Sequence, residues 1–187
     1  MAVNLVERAQ KILTAPNSEW DVVAAEKTDV QAMFLTYVLP LVGAQALVAV
    51  LGLMLFQHVE LQGAVIQFAL NVVIGAAVVF ILAFVIDGLA PNFGAQKDFT
   101  QSFKVAAYSP TPLWVFGLIA IVPQLGILGL LFGLYSLYLI FIGLPKVKKP
   151  KKDQEAVYAL AAIGAIIVLV LVLTIVLRQL VVAVQGY

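Results

Sequence analysis

The residues best placed to do something unusual are Tyr108-Ser109-Pro110-Thr111-Pro112, which lie between apolar stretches. The prolines Pro110 and Pro112 each remove a backbone donor, and each disfavours helix at the residue before it. At membrane depth, broken backbone is tolerated only where protein or a water-filled cavity satisfies the freed groups. Ser109 and Thr111 carry hydroxyls that can do part of that work locally. Two readings follow. In one, the segment joins an interfacial helix over 98–107 to a short membrane span. In the other, it interrupts a helix whose N-terminus near Pro112 faces a ligand, as in a channel or transporter. A single broken helix without a matching second one favours the joint.

Other polar residues in apolar surroundings read mainly as packing devices. Gly126, Gly129 and Gly133 lie along one helix, with Gly129 and Gly133 forming a GxxxG. Glycines of this kind let a neighbouring helix approach closely, within the chain or across a homodimer seam. Tyr135 and Tyr138 share a helix face, and their hydroxyls are expected to find the carbonyls freed near Pro110 and Pro112. Gln67 and Asn71 share a face too, with Gln45 in the preceding span, and such groups glue helices at about 1 kcal/mol each. Asp87 sits at a helix C-terminus, where the dipole disfavours an acid. That placement points to Lys97 or Lys104 as a partner, or to plain solvation. Lys146, Lys148, Lys149, Lys151 and Lys152 form a basic loop, and beside anionic lipid each lysine adds about 1 kcal/mol of attraction.

Catalytic patterns are absent from the sequence. There is no HExxH, P-loop, GxSxG or dinucleotide fingerprint, and no paired buried carboxylates for acid–base work. An intramembrane enzyme acting on lipid therefore lacks a catalytic set. With no cysteine and His58 as the single histidine, thiolate and histidine metal sites are not expected, nor any cofactor. Every Asp, Glu, Lys and Arg falls at or beyond the end of an apolar run, which argues against a proton- or sodium-coupled pump.

The elements that position these residues are transmembrane helices. Apolar residues make up 63% of the 187-residue chain and charged ones 11%, against about 45–50% and 25% in soluble domains. Mean hydropathy is +1.06. Lipid is the natural solvent for such a chain. A span needs roughly 20 apolar residues, and five segments qualify, at about 32–56, 63–86, 106–122, 125–144 and 156–177. Pro40 is expected to kink the first. Pro123-Gln124 leaves room only for a tight turn, so the third and fourth pair as an antiparallel hairpin.

Residues 1–29 precede these spans. Leu5, Val6, Ala9, Ile12 and Leu13 recur at helical spacing, while Glu7, Arg8, Gln10 and Lys11 take the remaining arc. The early charges rule out the apolar core of a cleavable signal peptide. Pro16 ends this helix, and Ser18-Glu19-Trp20-Asp21 reads as a capping box opening a second one through Ala25. The pair is expected to lie on the bilayer surface with Trp20 at the interface, or to offer a docking face to a partner. With the N-terminus inside, ten cations (Arg8, Lys11, Lys27, Lys97, Lys104, Lys146, Lys148, Lys149, Lys151 and Lys152) are cytoplasmic and Arg178 alone is outside. Five spans then place the C-terminus outside.

Several stretches carry a family resemblance. Pro91-Asn-Phe-Gly-Ala95, Ala107-Tyr-Ser-Pro-Thr-Pro112, Gly133-Leu-Tyr-Ser-Leu-Tyr138 and Gly143-Leu-Pro145 resemble the bacterial branch of the Yip family. Val6-Glu-Arg-Ala-Gln-Lys-Ile-Leu13 and Pro16-Asn-Ser-Glu-Trp20 are similar to it as well. These are five-span membrane proteins named for interacting with Ypt/Rab GTPases. The resemblance implies an all-α bundle with a cytoplasmic N-terminus, no enzymatic activity and, for bacterial members, the inner membrane. Eukaryotic members act in vesicle traffic and in shaping Golgi and endoplasmic reticulum membranes, and they carry a long cytosolic region before the first span. Only residues 1–29 stand there in this sequence, so Rab binding is not carried over.

The expectation is thus an all-α polytopic membrane protein, a five-helix bundle with an N-terminal interfacial amphipathic helix. Its expected role is to organise membrane or recruit partners at the cytoplasmic face, in contact with anionic headgroups. A homo-oligomer or a membrane-protein partner fits this reading, and a nucleic acid does not.

Overall fold

A computed structural model describes residues 4–119, 121 and 126–185. The described chain is helical: α1 (Leu5–Thr14), α2 (Pro16–Ala25), α3 (Val30–Gln57), α4 (Leu61–Leu89), α5 (Phe99–Tyr108), α6 (Thr111–Ile119), α7 (Gly126–Lys148) and α8 (Glu155–Gln185). Among the described residues, α3, α4, α7 and α8 are long and apolar enough to cross a membrane. Their outer faces expose Leu51, Leu55, Val65, Val73, Phe84, Leu130, Leu131 and Leu171. Apolar exposure on that scale suits hydrocarbon and not water.

The third span expected at 106–122 is not one helix. It is the end of α5, a turn at Ser109-Pro110, and α6. The tight turn expected at Pro123-Gln124 lies outside the described residues. The interfacial helix expected over 98–107 is corrected outright, because α5 is an enclosed element with Ser102 through Ser109 all buried. Phe103, Val105, Ala106 and Ala107 give it apolar surface on all sides, so it inserts between α4 and α7.

Proline shapes α3 as well. Leu39 N–H bonds Phe34 O, five residues back, so the turn over Phe34–Val38 is widened just before Pro40. Pro40 has no N–H and its ring crowds the carbonyl four residues earlier, and the wider turn relieves both.

The N-terminal pair departs from its expected place. Helix α2 begins at Pro16, not at a capping box, because proline's fixed φ suits the first helical position. Ser18 Oγ instead donates to Ala15 O at 3.1 Å. Trp20 is fully buried rather than set at a lipid interface. Helix α2 packs along α7, and α1 packs on α2 and α6, so the hairpin is a docked part of the bundle.

Candidate functional site

The broken segment is closed by its own side chains. Pro112 has no N–H, which deprives Tyr108 O of its helical donor. Thr111 Oγ1 fills the gap by donating to Tyr108 O at 2.6 Å. Tyr37 then completes a relay, its hydroxyl 2.8 Å from Thr111 Oγ1. Trp114 N–H bonds Pro110 O at 3.1 Å, restarting the helix directly after the turn. Ser109 is the exception, buried with its Oγ unpartnered. Ser109 and Pro110 border a groove of about 340 Å³, shared with Gly129, Gly133, Ile166 and Val170. Apart from Ser109 and Ser136 its lining is apolar, so it has the character of a lipid-facing cleft.

Aromatic rings stack beneath this joint. The Tyr108 ring packs edge-on against Tyr37 at 4.8 Å and against Trp20 at 6.4 Å. The Arg8 guanidinium lies 5.4 Å from the Tyr108 ring centre. Arg8 is itself buried and paired with Glu19 and Glu26. Lys104, also buried, donates to Glu26 O at 2.7 Å. A buried arginine between two carboxylates is stable only while all its partners are present. The hairpin is therefore locked to the joint by charge as well as by ring contacts.

Arg8 was not singled out as a site residue, although its spacing gave a signal. Leu5, Arg8 and Ile12 lie at i, i+3 and i+7, so Arg8 belongs to the buried arc of α1 and not to the polar one. By contrast Glu7 and Lys11 pair at 2.7 Å on the open face, where the Lys11 ammonium holds the Glu7 carboxyl below its ordinary range.

A second cluster surrounds Asp87. Its partner is Lys148 at 3.0 Å, neither Lys97 nor Lys104. Asp87 Oδ1 also accepts from Asp98 N–H at 2.8 Å and Ser102 Oγ at 3.0 Å. The start of α5 thus turns its N-terminal donors toward the acid and offsets the unfavourable end of α4. Lys148, expected at lipid headgroups, is instead buried, with a second bond to Asp98 O at 3.1 Å.

The other lysines of the loop divide. Lys146 reaches Asn17 O at 2.7 Å and Asp21 at 2.8 Å, tying α7 to α2. Lys151 N–H bonds Phe93 O at 3.2 Å, and its stem lies against Gly94, where a Cβ would stand 2.7 Å from Lys151 Cγ. Gly94 has a φ of 69°, so glycine suits the position twice over. Lys149, Lys151 and Lys152 remain exposed.

The expected tyrosine partners are also corrected. Tyr135 donates to Leu13 O at 2.8 Å, at the end of α1, because the docked hairpin brings that open carbonyl closer than the joint. Tyr138 stacks on Tyr135 at 5.7 Å and is exposed. The glycines serve contacts within the chain: a Cβ at Gly129 would meet the Phe116 ring at 3.3 Å, and one at Gly133 would meet Leu113 at 3.9 Å, both on α6. Gly126 opens α7. Gln67 donates to Asn71 at 3.2 Å. Asn71, Gln45 and Trp114 border a cavity of about 240 Å³ between α3, α4 and α6.

No curated protein and no solved structure matches the chain. The Yip1 domain model matches residues 11–174, a range that takes in the joint, both ion clusters apart from Arg8, the helices α3, α4 and α7, and α8 as far as Thr174. The chain belongs to the Yip1 domain family and is a multi-pass membrane protein.

Proposed function

We propose that this chain is a non-enzymatic membrane protein that organises lipid or recruits partners through the charged end of its bundle, facing the cytoplasm. The observation that carries this reading is the convergence of chain segments at that end. The α1–α2 hairpin and the connections after α2, α4 and α7 are tied to one another through Lys104–Glu26, Lys148–Asp98, Lys146–Asp21 and Lys151–Phe93. The result is an ordered surface that leaves Lys27, Lys97, Lys149, Lys151 and Lys152 exposed. A cationic rim of that kind suits the cytoplasmic leaflet and its anionic headgroups. Counting α5 and α6 as a fifth pass places the C-terminus outside, and the resemblance to bacterial members favours the inner membrane. The test compares the lipids and proteins co-isolated with the native chain and with a Lys149→Gln, Lys151→Gln, Lys152→Gln variant. Lys148 is left intact because it is buried.

A second reading, a small channel or transporter at Ser109–Pro112, draws support from the unpartnered Ser109 Oγ and the groove that Ser109 and Pro110 border. A flux assay on Pro110→Ala and Pro112→Ala variants tests it, and flux that ignores both changes rules it out.

A further inference from the structure

At the charged end, the loop over 94–98, the first turn of α5 and the end of α7 border an open polar pocket of about 370 Å³, lined by Gly94, Gln96, Asp98, Gln101, Lys148 and Lys149. That volume is in the range of small-ligand sites. Its charges are of both signs. Lys148 is neutralised by Asp87 at 3.0 Å, which leaves the Lys149 ammonium and the Asp98 carboxylate, whose Oδ1 caps α5 by accepting from Gln101 N–H at 3.0 Å, as the lining's charges without an ion-pair partner among the described residues. Gln101 adds its side chain to the lining. Lys149 has a φ of 47°, a left-handed backbone that non-glycine residues seldom adopt. It also precedes Pro150, which disfavours the helical alternative.

We infer that this pocket binds the phosphoethanolamine headgroup of a membrane lipid, with the phosphate at Lys149 and the ammonium at Asp98. A headgroup of both signs matches the two free charges, where a purely anionic one would meet Asp98 unfavourably. The ammonium carries N–H donors that the Asp98 carboxylate can accept, whereas a quaternary phosphocholine has none. The lipid source follows from position, since the pocket lies where two membrane-crossing helices end, α4 at Leu89 and α7 at Lys148. The inference rests on the proposed function only in placing this end at a membrane surface.

The experiment is native mass spectrometry of the purified full chain, titrated in turn with short-chain phosphatidylethanolamine, phosphatidylcholine and phosphatidylglycerol, and with free O-phosphoethanolamine. Loss of charge-assisted hydrogen bonds predicts about tenfold weaker binding of phosphatidylcholine than of phosphatidylethanolamine. Asp98→Asn should abolish that preference while still capping α5, since asparagine caps as well as aspartate. Lys149→Gln should weaken all three lipids, and Lys152→Gln, outside the cavity, should change none. Asp98→Ser, which also keeps a capping oxygen for Gln101 N–H, gives a second route to the same loss of preference should Asp98→Asn fold poorly. Equal binding of the two zwitterionic lipids, or a preference that survives in folded Asp98→Asn and Asp98→Ser chains, overturns the inference. Free O-phosphoethanolamine binding as tightly as the lipid overturns the lipid source. A native chain that shows no headgroup preference, while its co-isolated companions are still lost from the Lys149→Gln, Lys151→Gln, Lys152→Gln variant, would overturn this inference alone and leave the proposed function standing.

Discussion

The Trp20 indole rests directly on the Gly143 backbone: a Cβ built at Gly143 would stand 2.3 Å from Trp20 Cε2. Only glycine permits this approach, so one position on α7 decides whether α2 can dock. Gly143→Ala is expected to expel Trp20. In a Trp114→Phe background, Trp20 emission should shift to the red and become open to acrylamide quenching. Emission that stays unshifted in Gly143→Ala contradicts the contact.

Trp20 Nε1 is buried without an acceptor, so the ring matters here more than its polar atom. Trp20→Ala should cost about 3–5 kcal/mol through the cavity it leaves. Trp20→Phe should cost clearly less, because it keeps an aromatic ring and removes an unpaired donor. Detergent-titrated unfolding followed by circular dichroism would separate the two, and equal losses would argue against ring packing as the main contribution.

The Arg8 cluster should behave as a unit. Arg8→Met alone leaves Glu19 buried without its cation and should destabilise by about 3–5 kcal/mol. Adding Glu19→Gln removes the stranded charge, so the double variant should be more stable than the sum of the single changes implies. Limited proteolysis of the α2–α3 connection reports the same event as faster cleavage. Strict additivity would show that the pair is not coupled.

At the joint, Thr111→Val should cost about 1–3 kcal/mol by leaving Tyr108 O and Tyr37 without their partner. Thr111→Ser keeps the hydroxyl and should cost less. Indistinguishable stabilities for Val and Ser would mean that the relay does not hold the break closed.

The basic loop should split by burial. Lys148→Gln strands Asp87 and should lower stability, while Lys149→Gln, Lys151→Gln and Lys152→Gln should each stay within about 0.5 kcal/mol of the native chain. A destabilising Lys152→Gln, or a neutral Lys148→Gln, would contradict the geometry around Asp87.

Hydropathy alone made the long helices legible, because a membrane span needs only length and apolarity. The joint was visible from Pro110 and Pro112, and even the local rescue by Thr111 could be foreseen. What could not be read were partners set by long-range packing. Asp87 finds Lys148 across 61 positions and Tyr135 finds Leu13 across 122. Charge and spacing in one dimension say nothing about which helix ends meet. Trp20 shows the same limit, since an aromatic in a short helix suits an interface and a buried notch equally well, and only Gly143 on another helix decides. Arg8 was readable in principle from its i, i+3, i+7 register with Leu5 and Ile12, but its charge suggested the polar face.

The central claim is that the charged end of the bundle is the working surface. Its most direct test is isolation of the tagged chain in native nanodiscs, with mass spectrometry of the proteins and lipids that accompany it. The native chain is compared with the Lys149→Gln, Lys151→Gln, Lys152→Gln variant. The account predicts a reproducible, near-stoichiometric protein partner or a selectively enriched lipid that is lost from the variant while the bundle stays folded. A native chain that comes out alone with bulk lipid, or a variant that keeps the same companions, would contradict it.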